Sequence, residues 1–210
     1  ETRPAGTTQI DAFITHSWHD PPDAKWAALQ HWRAEFLRKY HREPRVWLDA
    51  ACVDLWAPSA DLANLPVYLA RSCQLVMLVG PTFLTRLWCV IELYLFMHVG
   101  GSSVELCLSE DFLPGAYSTQ LAAFDMARCE CHFKRDYERF VAFVEATSGT
   151  LESFNQDARR LLVGTARRGG TVPSGSPDGA EGMRHELANG HVVVEMQVVE
   201  PAARRGRQGR

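Results

Sequence analysis

The chain has 210 residues, 46% of them hydrophobic, which is enough for one domain with a sizeable core plus additional segments. Its formal net charge is −3, and residues 164–210 hold seven arginines, no lysine and five acids, so residues 1–163 carry −5. A mildly acidic body of this kind gives no support for nucleic-acid binding as the main role.

Two further features bear on location. The sequence begins at Glu1 with no charged-then-apolar leader, which predicts a cytoplasmic chain that is a piece of a longer protein. Pro81, Arg86 and Glu92 interrupt the apolar run at residues 73–101, which favours two core elements over a membrane span. Because no leader is visible, we expect the six cysteines to be reduced thiols.

Strand and helix patterns alternate along most of the chain. The predicted strands are residues 10–15, 45–49, 74–80, 103–108 and, as a weak edge strand, 123–126. The predicted helices are residues 23–40, 61–73, 87–99, 133–147 and 151–163. This alternation predicts an α/β, flavodoxin-like fold: a doubly wound sheet of about five parallel strands in the order 2-1-3-4-5, with helices on both faces.

The composition also predicts how the chain is divided. Residues 151–163 form a predicted C-terminal helix that packs on the preceding domain or trails it. After Gly164 the sequence becomes rich in Gly and Arg, which predicts a disordered, low-complexity tail over residues 164–210. Within that tail, residues 191–200 alternate like a strand but have no place in the predicted sheet.

The topology predicts where a ligand binds. In an open α/β sheet, ligands bind beyond the carboxyl ends of the strands, here at the switch point between the first and third strands. His16, Ser17, Pro81 and Thr82 follow those two strands, and the helix that carries Glu92 begins shortly after them. Glu92 is alone among apolar residues, so it is costly to desolvate unless it is paired in a structural network or does chemistry.

Other polar residues near the strand ends allow more than one role. Asp49 and Asp54 follow the second strand and could bind ribose or cap the following segments. The His16–His19 pair lacks the i, i+4 helical spacing of zinc enzymes, and residues 129–132 (CECH) lack a second Cys pair, so no metal site is predicted. Ser17 has no GxSxG motif around it, which disfavours serine hydrolase chemistry.

Three segments resemble the Toll/interleukin-1 receptor (TIR) domain family, and the match covers roughly residues 8–150. Residues 11–17 (DAFITHS) are similar to the family's first-strand motif, and residues 47–49 (WLD) to its second strand. Residues 88–93 (WCVIEL) are similar to the WCxxEL segment of plant-type members. The loop at residues 50–59 departs from the family, because it has no Gly and no basic residue where members carry a basic–acidic pair and Pro-Gly.

The resemblance implies an activity. Many TIR domains cleave NAD+ to nicotinamide and ADP-ribose or its cyclic forms, and the family's catalytic glutamate maps onto Glu92. NAD+ would be the substrate, with no separate cofactor, and breaking its glycosidic bond needs a carboxylate near the ribose. The side chains expected to bind it, including aromatic ones that could stack on its bases, are His16, Ser17, Trp18, Asp49, Trp56, Pro81, Thr82 and Trp88.

The resemblance also implies partners and leaves alternatives open. Family members commonly associate with other TIR domains, so a homo-oligomer and a role in intracellular signalling, including innate immunity, are expected. A non-enzymatic adaptor that acts only by homotypic association is the main alternative. A different nucleoside-processing enzyme on the same sheet is a third possibility.

Overall fold

The computed structural model of the chain describes residues 2–3, 9–52, 64–109, 112–131, 134–169 and 193–195. The described part contributes six strands to one sheet, in the spatial order β1-β6-β3-β2-β4-β5. The strands are β1 (Thr2–Arg3), β2 (Ile10–His16), β3 (Arg45–Leu48), β4 (Ser72–Val79), β5 (Val104–Leu108) and β6 (Val193–Glu195). Strands β3, β2, β4 and β5 are parallel, whereas β6 pairs antiparallel with β3, and β1 with β6.

Helices connect the parallel strands. They are α1 (Pro22–Tyr40), α2 (Asp49–Cys52), α3 (Leu65–Ala70), α4 (Leu87–His98), α5 (Pro114–Ala122), α6 (Lys134–Ser148) and α7 (Leu151–Gly169). Two short 3₁₀-helices are formed by Phe83–Thr85 and Met126–Arg128. The α/β class and the parallel order 2-1-3-4 of the first four predicted strands are therefore confirmed, and each strand lies within two residues of its predicted position.

The predicted fifth strand at residues 123–126 is not confirmed. Ala123 is the residue at which α5 ends, and the Asp125 side chain accepts a hydrogen bond from the Ala127 backbone N–H, which starts a 3₁₀-helix. An acidic side chain that bonds the backbone two residues ahead favours a turn over an extended strand. The sheet is extended at its other edge instead, where β6 lies beside β3.

Helix boundaries differ from prediction in α1, α3 and α7, and by single residues in α4 and α6. Helix α1 begins at Pro22 without a side-chain cap from Asp23, because proline has the backbone angle that a first helical position requires. Helix α3 covers only Leu65–Ala70 of the helix predicted at residues 61–73, whose first three residues lie outside the described residues. Helix α7 runs to Gly169, six residues beyond the predicted end.

The tail prediction is only partly covered by the described residues. Residues 193–195 form β6, which gives the alternating segment at 191–200 a position beside β3. The rest of the predicted tail, residues 170–192 and 196–210, lies outside the described residues.

The core has two parts, one on each face of the sheet. On one face, Leu29, Trp32 and Phe36 of α1 recur at helical spacing and pack against Ala12 and Ile14 of β2. On the other face, the larger cluster joins α3, α4, α5 and α7 to the opposite side of the strands. Helix α4 is apolar around nearly its whole circumference because it is buried within this second cluster, and Glu92 is the acid in it.

Candidate functional site

Asp49 holds together the ends of β2 and β3. His16 is the last residue of β2, and its Nε2 lies 2.8 Å from Asp49 Oδ1, at the point where β3 ends and α2 begins. The Trp18 indole N–H donates to Asp49 Oδ2 across 2.6 Å. Both carboxylate oxygens of Asp49 are therefore held by aromatic nitrogen groups, which fixes the direction in which its charge acts.

A second network joins the ends of β2 and β4. Asp20 Oδ1 accepts hydrogen bonds from both the backbone N–H and the hydroxyl of Thr82, each across 2.8 Å. Because the Thr82 proton is committed to Asp20, the Ser17 hydroxyl donates to Thr82 Oγ1 across 2.6 Å. Asp20 and Ser17 are both buried. The switch point between the first and third parallel strands is thus closed by side chains from both strand ends.

Lys25, in the first turns of α1, brings a cation to the end of β2. Its Nζ donates to the Ser17 carbonyl across 2.7 Å and lies 3.4 Å from His16 Nδ1. Burial lowers the pKa of Lys25, and the charges of Asp20 and Asp49 oppose that effect. An ammonium group can only donate, so His16 Nδ1 is assigned as the acceptor and Nε2 carries the proton that is donated to Asp49.

Glu92 lies in the second turn of α4, with its side chain 7% exposed. Burial raises the pKa of Glu92 well above its ordinary value, and the nearby Asp49 charge raises it further. The Thr15 hydroxyl faces the carboxyl and lowers the pKa slightly, although its geometry falls short of a hydrogen bond and Thr15 Oγ1 has no such partner among the described residues. The free protein therefore favours a neutral Glu92.

The pKa of the Cys89 thiol is raised by its surroundings. This buried thiol lies one turn before Glu92, and its pKa is raised by burial and then by the charges of Glu92, Asp49 and Asp20, against a small opposing effect of Arg86. A thiol in such surroundings stays protonated, so it is a poor nucleophile. All three acids therefore raise the pKa of this one thiol.

The other predicted site residues have different surroundings. The Pro81 carbonyl accepts a hydrogen bond from Gln120 Nε2 across 2.8 Å, and Pro81 itself is exposed beside Thr82. The Trp88 ring stands edge-on to Phe140, with ring centroids 4.5 Å apart, and packs against the larger core cluster. These contacts give both residues a structural role, and their contact with a substrate stays a prediction.

Two candidate site residues of the loop after β3 lie outside the part of the chain that the structure describes. They are Trp56, predicted to stack on a base, and Asp54, considered for ribose binding. The described residues contain no group of three or more His, Cys, Asp or Glu side chains that could hold a metal ion. Cys73, Cys89, Cys107 and Cys129 are free thiols.

Sequence reasoning missed Asp20 and Lys25 as members of the site. Asp20 lies in the loop after β2, four residues beyond His16, and sequence alone did not distinguish it from a solvated loop acid. Lys25 lies one helical turn before Leu29, which faces the core, so the i, i+4 spacing was a signal that its stem points toward the sheet.

Comparisons with known proteins add little to this geometry. No protein-family model matches the sequence, and no curated protein matches it. Among solved structures, the chain is similar to the TIR domains in a structure described as the activated Roq1 resistosome directly recognizing the pathogen effector XopQ. That similarity has 14% sequence identity and a TM-score of 0.43, and it covers 75% of this chain and 84% of the other. A similarity of this size carries no argument about family or function.

Of the helices that the structure describes, none combines the length and the apolar character that crossing a bilayer requires.

Proposed function

We propose that this chain is a TIR-like intracellular signalling domain that hydrolyses NAD+ to nicotinamide and ADP-ribose or a cyclic form of it, with Glu92 as the catalytic carboxylate. The observation that carries the proposal is the position of Glu92. It is a buried carboxyl in an apolar helix that follows the third parallel strand, and burial raises its pKa well above the ordinary value. The three sequence segments that resemble the TIR family support the same assignment.

The reaction needs few groups from the protein. The bond between ribose C1 and the pyridinium nitrogen breaks, and its electron pair leaves with nicotinamide as a neutral molecule. Positive charge then develops on the ribose, and an ionised Glu92 would stabilise that charge. Water adds at C1 and loses a proton, which gives ADP-ribose; attack by an adenine nitrogen in place of water would give a cyclic product.

The surroundings of Glu92 fit a positively charged substrate. In the free protein, burial and the Asp49 charge favour the neutral carboxyl. A pyridinium ring placed next to the two acids favours their ionised forms, because an opposite charge within a few ångströms lowers a carboxyl pKa. Glu92 would therefore become a carboxylate when the substrate binds, which is the form that the reaction requires.

The remaining predicted contacts are assigned within this proposal. The Trp18 ring is 55% exposed while its N–H is held by Asp49, so the ring offers a fixed face on which a base can stack. His16, Ser17 and Thr82 would form the polar rim of the cleft.

The test is nicotinamide release from NAD+ by the full chain at high protein concentration, with Glu92→Gln beside it. Glu105→Gln is a matched control, because Glu105 is also an acid whose pKa is raised by burial, but it bonds the Trp32 indole on the face of α1. We expect release by the wild type and by Glu105→Gln and a loss of at least about 100-fold in Glu92→Gln.

The opposite result would favour the other role that the resemblance implies. No release from NAD+, even when the protein is artificially clustered, would mean that the chain acts by association with other TIR-like domains. Release of a base from other nucleosides, but not from NAD+, would indicate a different nucleoside-processing enzyme.

A further inference from the structure

We propose that Lys25 is a nucleophilic amine, activated by His16 and Asp49, that captures neutral aldehydes as an imine. This activity is separate from cleavage of NAD+ and can be tested without that substrate. It rests on the order in which three side chains contact one another at the carboxyl ends of β2 and β3.

The three groups form one chain of contacts. Lys25 Nζ lies 3.4 Å from His16 Nδ1, and His16 Nε2 lies 2.8 Å from Asp49 Oδ1. The Trp18 indole N–H donates to the other oxygen of Asp49 across 2.6 Å, which restrains the carboxylate in its position facing His16. A nucleophile next to an imidazole base, which is itself oriented by an acid, is the arrangement that activates weak nucleophiles in enzymes.

Lysine is a nucleophile only after it has lost a proton, and its surroundings here favour that loss. Burial lowers the pKa of Lys25, against the opposing effects of Asp20, Asp49 and Cys89. These groups and His16 face the amine from the loop after β2, from the start of α2, from α4 and from β2. Among them His16 Nδ1 is the acceptor within reach of the ammonium group.

A second hydrogen bond positions the nitrogen of Lys25. Its Nζ donates to the Ser17 carbonyl across 2.7 Å, and Lys25 is only partly buried. An ammonium group has three N–H donors, of which Ser17 and His16 account for two. Transfer of the proton that faces His16 therefore leaves the bond to the Ser17 carbonyl in place, so the neutral amine stays at the same position.

The reaction balances without any further reactant. The Lys25 ammonium group gives a proton to His16 Nδ1, and the electron pair of the neutral amine forms a bond to the aldehyde carbon. The aldehyde oxygen gains one proton from the nitrogen and one from His16, and it leaves as water. The product is a protonated imine that keeps the single positive charge of the ammonium group, and His16 returns to its neutral form.

The charges around Lys25 define which aldehydes fit. Asp20 Oδ2 is buried and lacks a hydrogen-bond partner among the described residues, and Asp49 lies on the other side of His16. These two acids repel aldehydes that carry a phosphate or a carboxylate group. The Trp18 ring is 55% exposed and is held at Asp49 by its N–H, so it offers an apolar face nearby. The substrate class is therefore a neutral aldehyde, with aromatic aldehydes as its favoured members.

The first measurement uses the full chain, whose three lysines are Lys25, Lys39 and Lys134. The protein is incubated with benzaldehyde and sodium cyanoborohydride near pH 7, and mass spectrometry measures how fast each lysine becomes benzylated. We expect Lys25 to react at least about tenfold faster than Lys39 and Lys134, which are exposed, because acid–base assistance accelerates such steps. Equal rates at the three lysines, or the slowest rate at Lys25, would overturn the proposal.

Two variants identify the groups responsible. Lys25→Arg keeps the charge and an N–H donor for the Ser17 carbonyl but forms no imine, so the fast reaction should disappear. His16→Phe removes the base, and Lys25 should then react at the rate of Lys134. An undiminished Lys25 rate in folded His16→Phe would overturn the proposal. The comparison of the three lysines in the wild type needs no variant, so it decides the proposal even if His16→Phe does not fold.

Asp49 is a positioning residue in this scheme, and Asp49→Asn separates that role from a simple effect of its charge. The Asp49 charge raises the pKa of Lys25, so its removal favours the neutral amine and would by itself speed the capture. Loss of the carboxylate that orients His16 and stabilises its protonated form should slow the capture. We expect a net slowing of at least about fivefold at pH 7. Faster capture by folded Asp49→Asn would overturn this role.

The charge of the substrate is tested with glyoxylate, an aldehyde that carries a carboxylate. The ratio of Lys25 to Lys39 modification should fall at least about threefold when glyoxylate replaces benzaldehyde, because Asp20 and Asp49 repel the anion. An equal ratio with both aldehydes would overturn the restriction to neutral substrates. None of these measurements involves NAD+, so they decide the role of Lys25 whether or not the proposed function holds.

Discussion

The Asp20 carboxyl lies directly over the Cα atom of Gly80. A Cβ atom on Gly80 would stand 2.6 Å from both Cγ and Oδ2 of Asp20, well inside any ordinary contact distance. Asp20 Oδ1 accepts hydrogen bonds from both the backbone N–H and the hydroxyl of Thr82. The carboxyl can occupy this position only because residue 80 has no side chain. Glycine at the end of β4 is therefore required by close packing, and its backbone angles do not demand it.

Gly80→Ala should destabilise the fold. The added methyl must displace a buried carboxyl, and overpacking of this kind costs about 1–3 kcal/mol, to which any loss of the Thr82 hydrogen bonds would add. Urea unfolding measures the change. The control is Gly115→Ala in the first turn of α5, where an added Cβ meets no atom within 4 Å and alanine favours the helix. Equal stability of the two variants would mean that Asp20 does not pack on Gly80.

Glu92 should make the stability of the protein depend on pH. The pKa of Glu92 is raised in the folded chain, so between the unfolded value of about 4.3 and the folded value the unfolded state binds fewer protons. Stability from this group is complete at pH 4 and is lost as the pH rises through that window, by at most about 1.4 kcal/mol per pH unit.

Glu92→Gln removes this dependence, because the amide has the same shape and does not titrate. The variant should match the wild type near pH 4 and exceed its free energy of unfolding at pH 8. Urea unfolding at the two pH values gives the difference between the proteins, in which contributions of all other groups cancel. A difference that stays constant with pH would mean that Glu92 titrates normally in the folded chain.

The sequence predicted the parallel sheet and the position of Glu92, but not the groups around it. Strands β2 and β4 are mostly apolar, and polar residues lie at the end of β2 and shortly after β4; this pattern indicates both a buried strand and the edge at which ligands bind. Which side chains contact one another at this edge of the sheet depends on the length and direction of each side chain. Asp20 and Lys25 carry no local pattern that reveals their partners Thr82 and His16.

The strands that were predicted wrongly or not placed have two different causes. At residues 123–126 the Asp125 side chain accepts hydrogen bonds from the Ala127 N–H and the Asn155 amide, and these contacts impose a turn. Strand β1 has two residues and β6 has three. Strands this short show no recognisable alternation of apolar and polar residues. Their pairing at the edge of β3 depends on tertiary position, which local sequence does not encode.

Asp11→Ala should strongly lower the free energy of unfolding. Asp11 accepts from Arg42 Nη1 and Nη2 across 2.7 and 2.6 Å and from the Arg45 backbone N–H across 2.7 Å, which fixes the start of β3 beside β2. Losing a buried acceptor that serves charged and backbone donors costs about 2–4 kcal/mol. Chemical denaturation measures it.

The control for Asp11 is Glu35→Ala, which removes an exposed acid paired with Arg38 one turn away on α1. Exposed pairs of this spacing contribute little, so no measurable change is expected. If the two alanine variants unfold at the same denaturant concentration, the Asp11 network does not hold β2 and β3 together.

Helix α7 should be indispensable to the domain that precedes it. Phe154 is fully buried with its ring 4.7 Å from Tyr94 of α4, and the Asn155 side chain accepts a hydrogen bond from the buried Met126 N–H. Phe154→Ala leaves a large cavity beneath the helix that carries Glu92, which costs about 3–5 kcal/mol. Val163→Ala, on the exposed side of the same helix, should cost less than about 1 kcal/mol.

The same packing predicts the result of truncation. A chain that ends at residue 150 exposes the apolar surface of α4 and leaves the Met126 N–H without its partner, so it should lose its cooperative unfolding transition in calorimetry. A chain that ends at Gly169 keeps these contacts and should unfold cooperatively. Cooperative unfolding of the shorter chain would show that α7 only trails the domain, and Phe154→Ala would then have little effect on stability.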